Sequence, residues 1–252
     1  MDFQLKLAAF DLDGTLAESK QPATPAMGAL LARLLEKMPV AVMSGQSFAR
    51  FEEQFLASLP PETKFERLYL FPTSAAQCWI YGSKGWRALW SLSLTADEKS
   101  RIIEAMHASL KAVGLAEEPP KIWSERIEDR GGQVSFSALG QKAPLPEKLA
   151  WKKEYEPKRV ALYKDLAGRL PDFSVSLAGS TTVDVTRKDI TKPYGLNKLA
   201  ELTGIPTSSM LYVGDALYPG GNDYLVLEAG IPTREVQGPE ETAAVIQEML
   251  GS

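Results

Sequence analysis

Cysteine and histidine are almost missing: the 252 residues include one of each, Cys78 and His107. A lone cysteine cannot close an internal disulfide, which suits a reducing cytoplasm, and a small buried thiol is the expectation for it. With a single histidine, on a segment expected to be a helix surface, histidine-dependent catalysis is poorly supplied. Charge of one sign is not in excess either. Lys and Arg total 28 against 32 Asp and Glu, for a net charge of −4 and a pI near 5.3. Bulk charge therefore recruits neither nucleic acid nor anionic lipid. No stretch approaches the roughly 20 apolar residues that cross a bilayer, and no basic stretch leads into a long apolar run at the start. What is present is ordinary for a folded domain, at 44% hydrophobic and 24% charged residues.

Leu5–Phe10 is an apolar run ending in Asp-Leu-Asp-Gly-Thr, which predicts a buried strand running into a turn. Thr24 as N-cap and Pro25 at the first helical position predict a helix over 24–37. A strand at Pro39–Met43, a helix at Phe48–Leu59 and a strand at Arg67–Phe71 follow. Such alternation predicts a parallel sheet covered on both faces. The rhythm then changes. Trp79–Tyr81 and Trp86–Leu92 predict a hairpin, and Thr95 predicts the start of a helix reaching about Val113. Strands are expected at Ile122–Ile127 and Gln133–Ala138, a helix near Lys158–Leu170, and strands at Ser174–Leu177 and Thr181–Val185. After Lys188 the first rhythm returns, with a helix near Tyr194–Thr203, a strand at Met210–Val213 and a last helix near Glu240–Leu250. The fold class read from this order is α/β: a doubly wound, Rossmann-like parallel-sheet core over 1–82 and 189–252, interrupted by an α+β cap over 83–188. The insert carries 18 Lys/Arg and 14 Asp/Glu, the remainder 10 and 18. A carboxylate-rich core under an anion-gripping cap would look like this, and so would a chance partition of surface charge. Trp79, Trp86, Trp90, Trp123 and Trp151 fall in or near the cap, where packing is the default expectation.

Four places can hold chemistry. Asp11 and Asp13 lie two apart at a strand end, so both side chains project to one side, beyond the carboxyl edge where open α/β sheets bind ligands. Two converging carboxylates repel unless a cation or shared proton relieves them, and Mg²⁺ prefers oxygen donors. With such an ion bound, Asp11 can attack phosphorus and Asp13 can protonate a leaving alcohol and then activate water. Gly14 permits the turn and Thr15 can hold it; a pair of solvated turn acids is the plain alternative. Ser44, before Gly45, can hydrogen-bond a phosphoryl oxygen with help from the following backbone N–H groups, or serve as an ordinary turn serine. Lys192 can offset charge on Asp11 and on a transferring phosphoryl group, though most lysines are surface residues. Asp215 ends an apolar strand and is a metal-ligand candidate. Asn222 and Asp223, on the following glycine-rich loop, could be ligands or supports.

These sites in this order resemble the haloacid dehalogenase superfamily of aspartate-nucleophile phosphotransferases. The resemblance implies Asp11 as nucleophile, Asp13 as acid and base, Ser44 and Lys192 as phosphate-positioning groups, and Mg²⁺ held by Asp11, Asp215 and the Asp13 backbone carbonyl. Within it, Gly214–Asp223, with its Pro-Gly-Gly-Asn-Asp run, and Arg130–Ser137 are similar to eukaryotic-type phosphomannomutases. That likeness implies Arg130 on a substrate phosphate and Thr182 and Asp184 on the sugar. It differs where the family has two further cap arginines: Gln141 and Lys148 stand there, and a neutral Gln141 cannot replace a guanidinium. Ser44 also stands where the mutases carry glycine. The expected function is thus a Mg²⁺-dependent phosphatase acting through an aspartyl-phosphate on a sugar phosphate or similar small metabolite. The alternative is a phosphomannomutase interconverting hexose 1- and 6-phosphates. The expected partners are the metabolite and, through the cap, a second copy of the chain, with no nucleic acid or membrane, in the cytoplasm.

Overall fold

A computed structural model describes residues 4–19 and 21–251. The first strands and helices are β1 (Leu7–Asp11), α1 (Pro25–Lys37), β2 (Val40–Met43), α2 (Phe48–Gln54), β3 (Leu68–Phe71), β4 (Gln77–Gly82) and β5 (Gly85–Ser91). Next come α3 (Ala96–Ala112), β6 (Ile127–Asp129), β7 (Gln133–Ser137), α4 (Leu145–Arg169), β8 (Phe173–Ala178) and β9 (Thr182–Arg187). The chain finishes with α5 (Lys192–Thr203), β10 (Met210–Gly214), α6 (Tyr224–Glu228), β11 (Thr233–Glu235) and α7 (Pro239–Gly251).

One sheet has seven strands in the order β11-β10-β1-β2-β3-β4-β5, parallel from β11 to β3 and antiparallel through the last hairpin. Consecutive residues of β1 pack on opposite sides, as the period of two requires. Ala8 and Phe10 join Leu31, Leu34 and Ile246 of α1 and α7, while Leu7 and Ala9 join Leu196, Leu199 and Val226 of α5 and α6. Thr24 caps α1 as expected, its Oγ1 accepting from Met27 N at 3.2 Å. The doubly wound core is the one the alternating elements predicted.

The second sheet has four antiparallel strands in the order β6-β7-β9-β8. Val134, Phe136, Val183 and Val185 pack there against Ile102 and Met106 of α3 and Leu162 and Leu166 of α4. Three expectations need correcting. The boundary at residue 83 falls inside a hairpin whose two strands both extend the large sheet, because β5 pairs along β4. The strand expected at Ile122–Ile127 begins only at Ile127. Before it, two separate bonds, Trp123 N to Leu139 O at 3.0 Å and Ser137 N to Arg126 O at 2.7 Å, hold the segment without a continuous ladder. Helix α4 starts at Leu145, not near Lys158, and runs through Pro157. Proline normally breaks a helix by removing one N–H and crowding the preceding turn. Here Trp151, Leu162 and Leu166, on both sides of Pro157, are anchored in one cap core. No helix among the described residues is long and apolar enough to cross a membrane.

Candidate active site

Three strand ends and one helix start meet at the carboxyl edge of the parallel sheet. Asp11 closes β1, Ser44 follows β2, Asp215 follows β10 and Lys192 opens α5. Because β1 lies between β10 and β2, the residues after these strands are neighbours. Gly14, at φ +87°, turns the chain between them. A Cβ there would collide with the Asp215 carboxylate, so only glycine lets this loop approach so closely.

Lys192 is the hub. Its ammonium is buried and donates to Asp11 Oδ1, to Asp223 Oδ1 at 2.5 Å and to Tyr212 Oη at 2.9 Å. The Tyr212 hydroxyl donates to Asp223 Oδ1 at 2.5 Å, and Ala216 N donates to Asp223 Oδ2 at 3.1 Å. Burial opposes the lysine charge, yet Asp11 and Asp223 more than offset it and hold its pKa above the ordinary value. Burial drives the Asp11 pKa well above the usual carboxylate range, Lys192 pulls it back, and Asp223, Asp215 and Asp13 push it further up. Asp215 is pushed up to about 7, chiefly by burial and then by Asp223. The edge thus holds more negative charge than one lysine balances.

A divalent cation fits that imbalance. Asp11 Oδ2 is buried without a hydrogen-bond partner among the described residues. Asp11, Asp215 and Asp223 each offer an oxygen, all within 4.8 Å of one another. An all-oxygen carboxylate set suits a hard ion such as Mg²⁺. Both Asp223 oxygens already accept hydrogen bonds, which leaves Asp11 and Asp215 the better donors.

Asp13 is held from the opposite side. Its Oδ2 accepts from Gln46 Nε2 at 2.7 Å and Ser44 Oγ at 3.2 Å. Ser44 Oγ also accepts from Gln46 N at 3.1 Å. A turn with three consecutive non-glycine residues at positive φ, Thr73, Ser74 and Ala75, braces this loop. Thr73 N donates to Gln46 O and Ser74 N to Ser44 O, both at 2.9 Å. Each left-handed residue costs on the order of 1 kcal/mol, which these bonds offset.

The cap sheet roofs the edge with its polar face. Opposite its apolar core, β7 and β9 present Gln133, Ser135, Ser137, Thr182, Asp184 and Thr186, every one buried. Gln133 Nε2 donates to Gly45 O at 3.0 Å and to Ser135 Oγ at 2.7 Å; Ser135 donates to Asp184 Oδ1 at 2.6 Å. Ser74 Oγ donates to Gln133 Oε1 at 3.1 Å. Arg130 Nη1 also donates to Gly45 O, at 2.6 Å, and its Nε and Nη2 bind Glu128 Oε2 at 3.1 and 2.8 Å. Lys148 Nζ donates to Gln141 O at 2.8 Å. Asp11, Asp13, Ser44, Lys192, Asp215 and Asp223 are therefore brought together, while Arg130 and Lys148 are engaged by the protein and Thr182 lies on the buried roof. Asn222 lines a cavity of about 160 Å³ with Asp13 and Asp215. A larger cavity, about 320 Å³, lies beside Arg50, Arg130 and Gln141 and is lined by none of Asp11, Asp13, Asp215 and Asp223.

Sequence reading missed Gln46, Tyr212, Gln133 and Ser135. Alternation in Gln-Val-Ser-Phe-Ser marks a polar face for the last two, but nothing in one chain says that face is covered. Tyr212 sits inside an apolar strand and carries no local signal.

The family model described as eukaryotic phosphomannomutase matches residues 27–252. A probable phosphomannomutase of Caenorhabditis elegans is 25% identical over 252 residues, covering 97% of this chain and 95% of the relative. A phosphomannomutase of Triticum aestivum is 27% identical over 229 residues, covering 88% and 86%. Among solved structures, an IMP-bound Plasmodium falciparum IMP-nucleotidase mutant is similar with a TM-score of 0.72 at 15% identity, covering 98% of this chain and 67% of that one. At that identity the likeness concerns the fold, which is of the haloacid dehalogenase type. A phosphoryl-transfer enzyme by its relatives, the chain belongs to the eukaryotic phosphomannomutase family.

Proposed function

We propose that the protein is a Mg²⁺-dependent phosphatase that takes the phosphoryl group of a sugar phosphate onto Asp11 and passes it to water. The observation that carries this is the Asp11 carboxylate: buried, held through one oxygen by Lys192, with its second oxygen uncommitted. Asp11 attacks phosphorus while the bond from phosphorus to the sugar oxygen breaks, and Asp13 gives that oxygen its proton. Asp13, again a carboxylate, then takes a proton from water. The water oxygen bonds phosphorus, the Asp11–phosphorus ester breaks, and inorganic phosphate leaves. Ser44 and Gln46 hold Asp13 in place for both transfers. Lys192 keeps Asp11 oriented and faces developing negative charge. Mg²⁺, when held by Asp11, Asp215 and the Asp13 carbonyl, supplies positive charge against the phosphoryl oxygens. Asp223 fixes Lys192 and the Ala216 backbone.

Hydrolysis is favoured over mutation because the cap grip on a second phosphate is thin. Gln141 is neutral, Arg130 is paired with Glu128 and Lys148 lies on a backbone carbonyl. A mutase must retain a bisphosphorylated sugar while it reorients. Phosphomannomutase remains the second reading, supported by the family match and by Pro219–Asp223. Asp11→Asn is expected to reduce phosphate release at least ~10⁴-fold, and release at the wild-type rate in that variant would sink the proposal. Phosphorus NMR of mannose 1-phosphate with a hexose bisphosphate separates the two readings. Isomerisation outrunning phosphate release would favour the mutase.

A further inference from the structure

The roofed cavity carries a cation that neither the sequence motifs nor the reaction uses. Leu145, Leu149 and Lys152 lie at i, i+4 and i+7 along α4, on one helix face, and all three line the cavity that contains Asp13, Asp215 and Asn222. Lys152 is half-buried and forms no hydrogen bond or ion pair among the described residues. Among the described residues lining that cavity it is also the only cation. Ser180, buried, adds a hydroxyl on the facing cap loop, and Leu149 adds an exposed apolar wall. By contrast, the cap cations expected to grip the substrate, Arg130 and Lys148, have protein partners.

We infer that Lys152 sets substrate specificity by binding a second anionic group, a phosphate or carboxylate, at the end of the substrate remote from the ester that Asp11 attacks. This rests on the reading of Asp11 and Asp13 given above and narrows its substrate class. Lys152 makes no ion pair although Asp13, Glu18 and Asp215 line the same cavity, so an anion placed against its ammonium gains a charge-assisted bond that those carboxylates do not already supply. A neutral sugar tail gains nothing comparable. One lysine also grips less firmly than a guanidinium fork, which suits a product that must leave.

The test measures kcat/KM for glucose 1,6-bisphosphate and 3-phosphoglycerate, each relative to glucose 6-phosphate. In Lys152→Gln at least one of these ratios is expected to fall about tenfold or more, through KM. Lys152→Arg is expected to keep most of the preference. Which ratio falls tells a phosphate tail from a carboxylate tail. Calorimetric binding of the same compounds to D11N and to D11N/K152Q gives a readout that needs no turnover, with the same loss expected. Ratios and affinities within twofold of those of the parent proteins overturn the inference, while an inactive D11N leaves the Asp11 reading standing. Turnover persisting in D11N overturns that reading instead.

Discussion

In the core sheet, β1 is apolar on both faces from Leu7 to Phe10, and polar chemistry begins only where the strand stops, at Asp11. In the cap sheet, polar and apolar residues alternate along β7 and β9, and both kinds are buried. The difference lies in what covers each face. Helices sandwich the core sheet, so a polar side chain within a strand would lose its water without a partner. The cap sheet has helices on one face and the carboxylate-bearing edge of the core sheet on the other. Its buried polar groups are paid for by hydrogen bonds to one another and to Gly45. Carboxylates at the core edge are thus fixed by strand termination, and the polar roof groups by strand register in the cap.

The largest expected effect lies in the core. Lys192→Met leaves Asp11 and Asp223 buried without their counter-charge, so unfolding free energy should fall by about 3–5 kcal/mol in urea titration. Turnover should fall at least ~10³-fold. If only turnover falls, the hub is not holding the core edge together.

A second experiment concerns the metal. The folded pKa of Asp215 is raised to about 7 from an ordinary 3.8. Its contribution to the stability of the metal-free protein is therefore full below about 3.8 and lost as pH rises through about 7. Cation binding needs the ionised form. The rise in Tm on adding MgCl₂ should consequently grow from pH 5 to pH 8; a constant rise across that range would break the link.

Gly45→Ala probes the junction between the two regions. A Cβ there would lie 2.5 Å from Asp184 Oδ2 and 3.1 Å from Gln133 Nε2, so the roof must shift. The core should stay folded, with about a tenfold loss in kcat/KM and faster proteolysis of the cap. The smallest effect is expected within the cap. Glu98 forms a capping box with Thr95 and pairs with Arg187, which together lower its pKa to about 2. Being depressed, that pKa adds stability above about 4.5 that is lost as pH falls towards 2. Glu98→Gln should cost about 1 kcal/mol at neutral pH, after allowing for solvent screening, with turnover unchanged.

Legibility follows the same division. Asp11, Asp13 and Asp215 were readable because each sits where an apolar run ends, whereas Ser44 and Lys192, which by themselves read as a turn serine and a surface lysine, stood out only through the family resemblance. The boundary at 83 split the hairpin and left β5 in the cap, since alternation announces a hairpin without saying which sheet it extends. Pro157 hid the first half of α4 because a local breaker outweighs local periodicity until tertiary packing is counted. Cys78 is the buried thiol expected of it, its pKa pushed by burial up to about 12.

Local order along the chain determined the doubly wound core and the carboxylates at its edge, because strand period and strand termination act over a few residues. Only the folded chain decided that Asp223 and Tyr212 close on Lys192, that Gln46 holds Asp13, and that Lys152 lines the cavity beside Asp13 and Asp215. Those contacts join residues far apart in sequence, and their energies come from burial and pairing that exist once the cap rests on the core.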